Sequence, residues 1–414
     1  MDPNKLPMDN ITHNTIAKYL LNKYKNTFCC ASIKHNLWYE FNNHRWVMID
    51  SAFSLRNLIS DELVIEYSNQ QTYFYQLARE KQGYDKERCF DQALQICKII
   101  KQLQSTSFKN GVIRECADIT YDPNFLINLD ENVNLICFEN GVYDLSTDEF
   151  RNGRPNDYIS LCTNYNYVKY NKNDEHRKDI KNIFLNRIQP DKTMRKFLMT
   201  LLSTCLSGLI QKEDFYIFTG LGASGISKLM ELMRYTMGDL FEPMDIGLLM
   251  GKKKSSLADM KGVRMCTFDN PIATDEINLS FMEIMTSRNA ITIRTLFKEP
   301  IYFKPQLKPF LMCNHLPIIK SEAIRKKIKV IHFPSKFIKS SEATTSMKKN
   351  GLGENQFWAD TNLSEYFPKW KQMFMGMLIK YYKKYRTYGL IYPELVKQYM
   401  VQYKKVQIES KTTN

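Results

Sequence analysis

The chain has 414 residues, of which 43% are apolar and 25% charged. This is enough apolar material for two or three cored domains without disulfide or metal staples. Ten cysteines are scattered with no C-x-x-C spacing, which excludes a zinc ribbon and a secreted disulfide framework and fits reduced thiols. The net charge of +14, from 58 Lys and Arg against 44 Asp and Glu, favours a polyanionic partner, nucleic acid first, over an ordinary basic surface.

Along the chain, residues 1–108 are expected as a mainly helical N-terminal region. The segment Met1 to Asn10 is polar and has no signal-peptide pattern. Trp38–Phe41 and Arg45–Val47 flank an Asn42-Asn43 turn, as in a small hairpin. Leu55 to Tyr67 and Phe90 to Leu103 have helical apolar spacing. Residues 109–175 predict a small α+β accessory module, with Leu135–Phe138 and Val142–Leu145 either side of the Asn140-Gly141 turn signal. Residues 176–337 begin with helix. The apolar run Phe197 to Ile210, broken by Thr200, Ser203, Thr204 and Ser207, is too short to span a bilayer and predicts a buried helix of a soluble protein. From Phe215 short apolar strands alternate with helices, the pattern of an α/β nucleotide-binding core. Residues 338–414 predict a polar linker to about residue 362 and then C-terminal helices.

The most informative segment is Phe215 to Met233. A strand-like run ends at Gly220, a loop Leu221-Gly222-Ala223-Ser224-Gly225-Ile226-Ser227 follows, and Lys228 onward has helical spacing. A P-loop reads G-x-x-x-x-G-K-S/T in this context. Gly220 and Gly225 are in register and Ser227 holds the Mg²⁺-binding hydroxyl position. The lysine position is Ile226, which cannot supply the charge that reaches the terminal phosphates. Lys228 lies two residues on, where a helix turns it away. Ser227 as a simple N-cap is the competing reading.

With this segment the sequence resembles the primase-helicases of poxviruses and other large DNA viruses, and the phage and plasmid primases of the same type. The resemblance runs from roughly Asn36 to Lys405. It is carried also by Ile136–Leu145, by Pro155–Tyr158, and by Asn278–Glu299, which leads into a pore hairpin. Leu311–Pro317 is similar to the sensor strand and Lys326–Phe333 to the arginine-finger strand. The resemblance implies an α/β fold: an AAA+-like superfamily 3 helicase core with mainly helical N-terminal and C-terminal regions. It implies ATP and Mg²⁺ as cofactors, with Gly220, Leu221, Gly222, Ala223, Ser224, Gly225, Ile226, Ser227 and Asn314 binding nucleotide. Ser227 and Asp269 would hold the metal, Asp269, Asn270, Lys326 and Lys327 would occupy the catalytic positions, and Arg294 and Lys298 would contact DNA.

The departures from the family pattern concentrate on hydrolysis. Besides Ile226, the Walker B glutamate position is Asn270, which cannot accept a proton from water. Ser287-Arg288-Asn289 stands where the family reads Gly-Gly-Asp, and Glu283 replaces a lysine. Lys326 and Lys327 replace arginines and lose the planar fork that grips phosphate twice. Two functions remain open, an ATP-dependent DNA helicase with an unusual site or a catalytically inactive paralogue that binds DNA or regulates an active helicase-primase; a decayed gene product without activity is the third reading. Either function implies single-stranded DNA as partner, a homo-oligomeric or mixed ring, no membrane, and a place in host cytoplasm or nucleus where viral DNA is replicated. Trp370, Phe374, Tyr381 and Tyr382 are expected as helix-packing residues, and Lys380, Lys383 and Lys384 as a solvated face.

Overall fold

A computed structural model describes residues 5–9, 11–252, 260–269, 277–293, 301–317, 319, 321–342, 344, 347 and 351–412. The chain divides into two compact units. One comprises residues 1–129 and 154–160, the other residues 130–153 and 161–414. The sequence-based boundary at 108/109 falls inside the helix Thr106–Thr120, and the one at 337/338 inside the strand Lys336–Ile338.

In the first unit, Leu37–Asn42 and Arg45–Asp50 pair antiparallel, with Asn42 opposite Arg45. The two-residue turn is therefore Asn43-His44, one residue later than expected, and Asn43 takes a positive φ of 56°, which Asn tolerates better than most residues. Phe28–Ser32 adds a third strand. The helices Val64–Glu80 and Gly83–Gln104 accompany this sheet. Fully buried Trp38, Leu55, Tyr67 and Ile96 belong to the unit's main core.

The second unit is built on a five-stranded parallel sheet. Numbered along the chain, its strands are β1 (Phe215–Gly220), β2 (Phe241–Met244), β3 (Met265–Asp269), β4 (Lys308–Cys313) and β5 (Ile328–Phe333). Their spatial order is β5-β1-β4-β3-β2. β1 and β4 are buried along their whole lengths, as befits strands covered on both faces. The helix Leu363–Tyr388 packs against the helices Lys192–Thr204 and Ile226–Met237. Trp370, Phe374 and Tyr382 are buried there, while Tyr381 is only half-buried. The helix expected through Ile210 ends at Thr204. Leu135–Phe138 and Gly141–Asp144 form the predicted hairpin, extended by Glu149–Arg151. Ile291–Ile293 and Ile301–Phe303 also pair antiparallel, as the base of a hairpin.

Two cations are buried where β3 and β4 begin. Arg264 is bonded to main-chain carbonyls, and the Lys308 ammonium donates to the Ser207 carbonyl at 2.9 Å. Burial pushes the Lys308 ammonium down to about 8. The unfolded chain therefore binds more protons than the folded one between that value and the ordinary lysine range, so stability rises with pH across this window. Relative to Lys308→Met, the parent should gain on the order of 1–3 kcal/mol between pH 7 and pH 9.5. Urea unfolding of both proteins at the two pH values measures this. A stability difference that ignores pH would show that Lys308 is not the titrating group.

Candidate functional site

The C-terminal ends of β1, β3 and β4 lie at one edge of the sheet. In a parallel sheet this edge is where loops gather and ligands bind. β4 lies between β1 and β3, pairing Cys313 with Thr219 on one side and Met312 with Asp269 on the other. Asn314, directly after β4, is thereby flanked by the Gly-rich loop and Asp269. Gly222, Ala223, Ser224, Gly225, Ile226 and Ser227 line a cavity of ≈ 500 Å³ with Asp269 and Asn314. Three segments separated by dozens of residues thus converge on one space.

The loop is shaped by its small residues. A Cβ on Gly220 would come within 2.7 Å of the Ser224 side chain and 3.0 Å of the Phe333 carbonyl, so Gly220 is where the loop folds back closely on the sheet. Gly225 has φ +85° and is the N-cap of the helix Ile226–Met237, a backbone that disfavours a side chain. With no side-chain cap, the first N–H groups of this helix are left for other acceptors. The Phe337 N–H donates to the Ala223 carbonyl at 2.8 Å and ties the loop to the strand Lys336–Ile338.

Not every expected position lies on the cavity. Gly220 and Leu221 do not line the cavity: Gly220 ends β1, and Leu221 is 86% exposed. Ser227 is not the N-cap. It is the second residue of the helix, exposed at the cavity. Ile226 is only 5% exposed and belongs to the core cluster containing Ile188 and Leu229. Lys228, expected to turn away, lines the cavity, its ammonium held by Glu231 at 2.8 Å and Ser364 at 2.5 Å. Lys326 and Lys327 are not brought to the cavity either. They close the helix Glu322–Lys327, which leads into the N-terminal end of β5, at the sheet edge opposite the loop and roughly 20 Å from it by strand rise. There Lys326 pairs with Glu322 at 3.1 Å and Lys327 with Glu213 at 2.8 Å. Asn289 follows the helix Leu279–Thr286, where its N–H donates to Ser287 Oγ at 2.9 Å. Asn270, Arg294 and Lys298 lie outside the described residues.

Residues 17–202 match the family described as D5 N terminal like. The chain is 58% identical over 402 residues to a protein of Acanthamoeba polyphaga mimivirus named as a candidate helicase, covering 95% of this chain and 42% of that protein. It is 28% identical over 283 residues to a candidate helicase of Invertebrate iridescent virus 3, covering 65% of this chain and 30% of that one. With a candidate primase of African swine fever virus it shares 25% identity over 326 residues, 74% of this chain and 32% of that one.

The chain is similar to the helicase and primase proteins of large DNA viruses, and carries a D5 N terminal like segment.

It spans less than half the length of each of these viral relatives. Among solved structures, the apo C terminal region of NrS-1 is similar at 13% identity, with a TM-score of 0.40 over 57% of this chain and 53% of that one. That likeness is too loose to bear on function. No helix among the described residues is long and apolar enough to cross a membrane.

Sequence reasoning missed the other wall of this cavity. Lys336–Ile338 and Gln356–Trp358 pair as a small parallel sheet within the stretch expected to be linker. This brings Phe337, Trp358 and Lys339 to the cavity beside Phe184 and Leu363. Trp358 is 42% exposed. Lys339 is exposed and has no ion-pair partner among the described residues. Arg187 also lines the cavity, its guanidinium 6.0 Å from the Phe357 ring. Burial pushes the Cys313 thiol in the cavity wall up to about 12, so it is an inert neutral side chain here rather than a nucleophile.

Proposed function

We propose that this chain is a nucleotide-binding DNA replication protein of the superfamily 3 helicase type whose hydrolysis of ATP is weak. The observation that carries the reading is the convergence of the Gly-rich loop, Asp269 and Asn314 on one cavity. The cavity also has two chemically distinct halves. Phe184, Phe337, Trp358 and Leu363 offer an apolar wall suited to a base, while the helix N-terminus and Ser227 offer N–H and O–H donors suited to phosphates. Ser227 and Asp269 fit Mg²⁺, which takes one or two protein oxygens and completes its shell with phosphate and water. Among the described residues no group of three or more His, Cys, Asp or Glu could hold a metal, so the ion would arrive with the nucleotide.

Lys326 and Lys327 are too far from the cavity of their own chain to touch its nucleotide. Their position supports a ring in which they face a neighbour's nucleotide, whether the neighbour is a second copy or a longer helicase-primase. Single-stranded DNA is the proposed substrate, and the site of viral DNA replication in the host cytoplasm or nucleus the proposed location. The buried Ile226 favours the second reading within this proposal, a non-hydrolysing subunit, over a fully active helicase.

The test is a titration with fluorescent ATP in the presence of Mg²⁺, run beside a phosphate-release assay. Binding in the micromolar range is expected. Trp358→Ala should weaken it about tenfold, since stacking of a base on an aromatic ring contributes roughly 1–3 kcal/mol. No binding at millimolar nucleotide would remove the proposal. Unchanged binding by the variant would remove the base position assigned to Trp358.

A further inference from the structure

A second cavity, of ≈ 490 Å³, lies between the helical segments 175–188, 192–204 and 363–388. Seven cationic side chains line it, and no carboxylate does. Five are the exposed lysines Lys181, Lys192, Lys196, Lys380 and Lys384. None of them has an ion-pair partner among the described residues. The other two are the half-buried Arg177 and Arg195, held in place by neighbours. Arg177 Nε donates to the Tyr170 hydroxyl at 2.7 Å, and Arg195 donates to the carbonyls of Gln189 and Pro190 at 2.6 and 2.9 Å.

The spacing explains how one space collects so much charge. Lys192 and Lys196, and Lys380 and Lys384, are each four residues apart on an α-helix, which puts both members on one face, and Arg177 and Lys181 stand either side of the junction between the α-helical turn Glu175–Asp179 and the π-helical segment Ile180–Leu185. Three helical segments each turn a pair of cations toward the same cavity. Like charges at this spacing repel by a few tenths of a kcal/mol per pair, and Lys192 also stands in the first helical turn, where the dipole disfavours a cation. The concave walls focus the resulting positive potential. Tyr170 and Tyr381 complete the wall, with the Lys380 ammonium 5.0 Å from the Tyr170 ring and the Lys384 ammonium 6.0 Å from the Tyr381 ring.

We propose that this basic cavity is a binding site for the phosphodiester backbone of single-stranded nucleic acid, separate from the nucleotide cavity. The inference rests on the chain being a nucleic-acid-handling protein but not on its binding ATP. Lysines with free ammonium groups bind phosphates without reading bases, so recognition here is of charge along a strand, with no sequence preference.

The experiment is fluorescence anisotropy of a labelled oligo-dT across a salt series, with the quadruple variant Lys192→Ala/Lys196→Ala/Lys380→Ala/Lys384→Ala. The replaced side chains are exposed, and thermal unfolding checks that the fold is kept. A control with the same charge loss replaces Lys81, Lys86, Lys98 and Lys101, exposed lysines of the first unit, by Ala. The cavity variant should bind at least tenfold more weakly at low salt. Its slope of log affinity against log salt should flatten by about 0.7 for each phosphate that is no longer neutralised. The control should keep most of both. Equal losses in the two variants would mean that net charge alone acts, and would overturn the site. So would a cavity variant that loses binding of free tripolyphosphate yet binds oligo-dT as the parent does. Loss of binding in Lys298→Ala with none in the cavity variant would likewise overturn it, and would leave the helicase-type reading standing. Loss in the cavity variant by a protein that binds no ATP would support the site and remove the proposed nucleotide function.

Discussion

ATP turnover by the unmodified protein, measured as phosphate release with single-stranded DNA present, is expected to fall at least ~10³-fold below that of a helicase of the same type bearing lysine and glutamate at positions 226 and 270. Each missing group acts on the reacting phosphate, one by neutralising developing charge and the other by orienting water, and loss of one such group alone typically costs about 10²–10³-fold. Three cations that the sequence offers near the loop or at the finger positions are engaged elsewhere. Lys228 is held by Glu231 and Ser364, and Lys326 and Lys327 stand at the opposite edge of the sheet. Ile226→Lys alone should recover less than tenfold, because Asn270 remains. It should also lower stability by about 1–3 kcal/mol, because position 226 is a core position at the rim of the cavity and an ammonium there must be partly desolvated. Ile226→Lys/Asn270→Glu should recover more than either single change. Turnover by the parent within tenfold of an ordinary helicase would sink the argument.

What could be read in the sequence was whatever local chemistry dictates. The Gly220–Ser227 spacing and its strand-to-helix context located the loop, and Asn140-Gly141 located a hairpin whose turn, Glu139-Asn140, falls one residue earlier than expected. Asp269 and Asn314 came from the resemblance to the family's Walker B and sensor strands, and they meet because parallel strands deliver their C-terminal ends to one edge. What escaped depends on distant segments meeting. Residues 338–362 look like linker by composition, yet Lys336–Ile338 finds its partner in Gln356–Trp358 across that polar stretch and thereby builds the apolar wall. Likewise, segment 154–160 returns to the first unit, for which no local pattern gives a signal. Lys380 and Lys384 do form one exposed helix face, as expected, but the sequence of one helix does not reveal that Lys181, Lys192 and Lys196 face the same space. Burial of Ile226 follows the same logic, since its neighbour Ile188 comes from another helix.

The other large effect should come from Arg264, which no motif singles out. It precedes β3 and is 3% exposed. Its guanidinium donates to the carbonyls of Leu206, Leu135 and Asn132, the latter two at 2.6 and 3.3 Å. One side chain thus joins the start of β3 to the turn after the helix Lys192–Thr204 and to the edge of the Leu135–Phe138 hairpin. Burial pushes the guanidinium down to about 10, still far enough above neutral pH to stay charged. A dry cation is costly, and here it is offset by acceptors that lose a charged donor when it is removed. Each carbonyl left dry costs roughly 1–3 kcal/mol. Arg264→Met keeps most of the volume and removes the charge, so its loss, about 2–4 kcal/mol, isolates the hydrogen bonds. Arg264→Ala adds a cavity and should lose about 1–2 kcal/mol more. Lysine cannot replace the fork, because a single ammonium does not reach three divergent carbonyls, so Arg264→Lys should fall with the methionine variant rather than with the parent. In a unit of this size each kcal/mol lowers the unfolding midpoint by roughly 2–4 °C, which puts Arg264→Met about 4–16 °C below the parent in a thermal scan. A midpoint within 1 °C of the parent would mean that the carbonyls find other donors and that the hairpin edge is held to the sheet by packing alone.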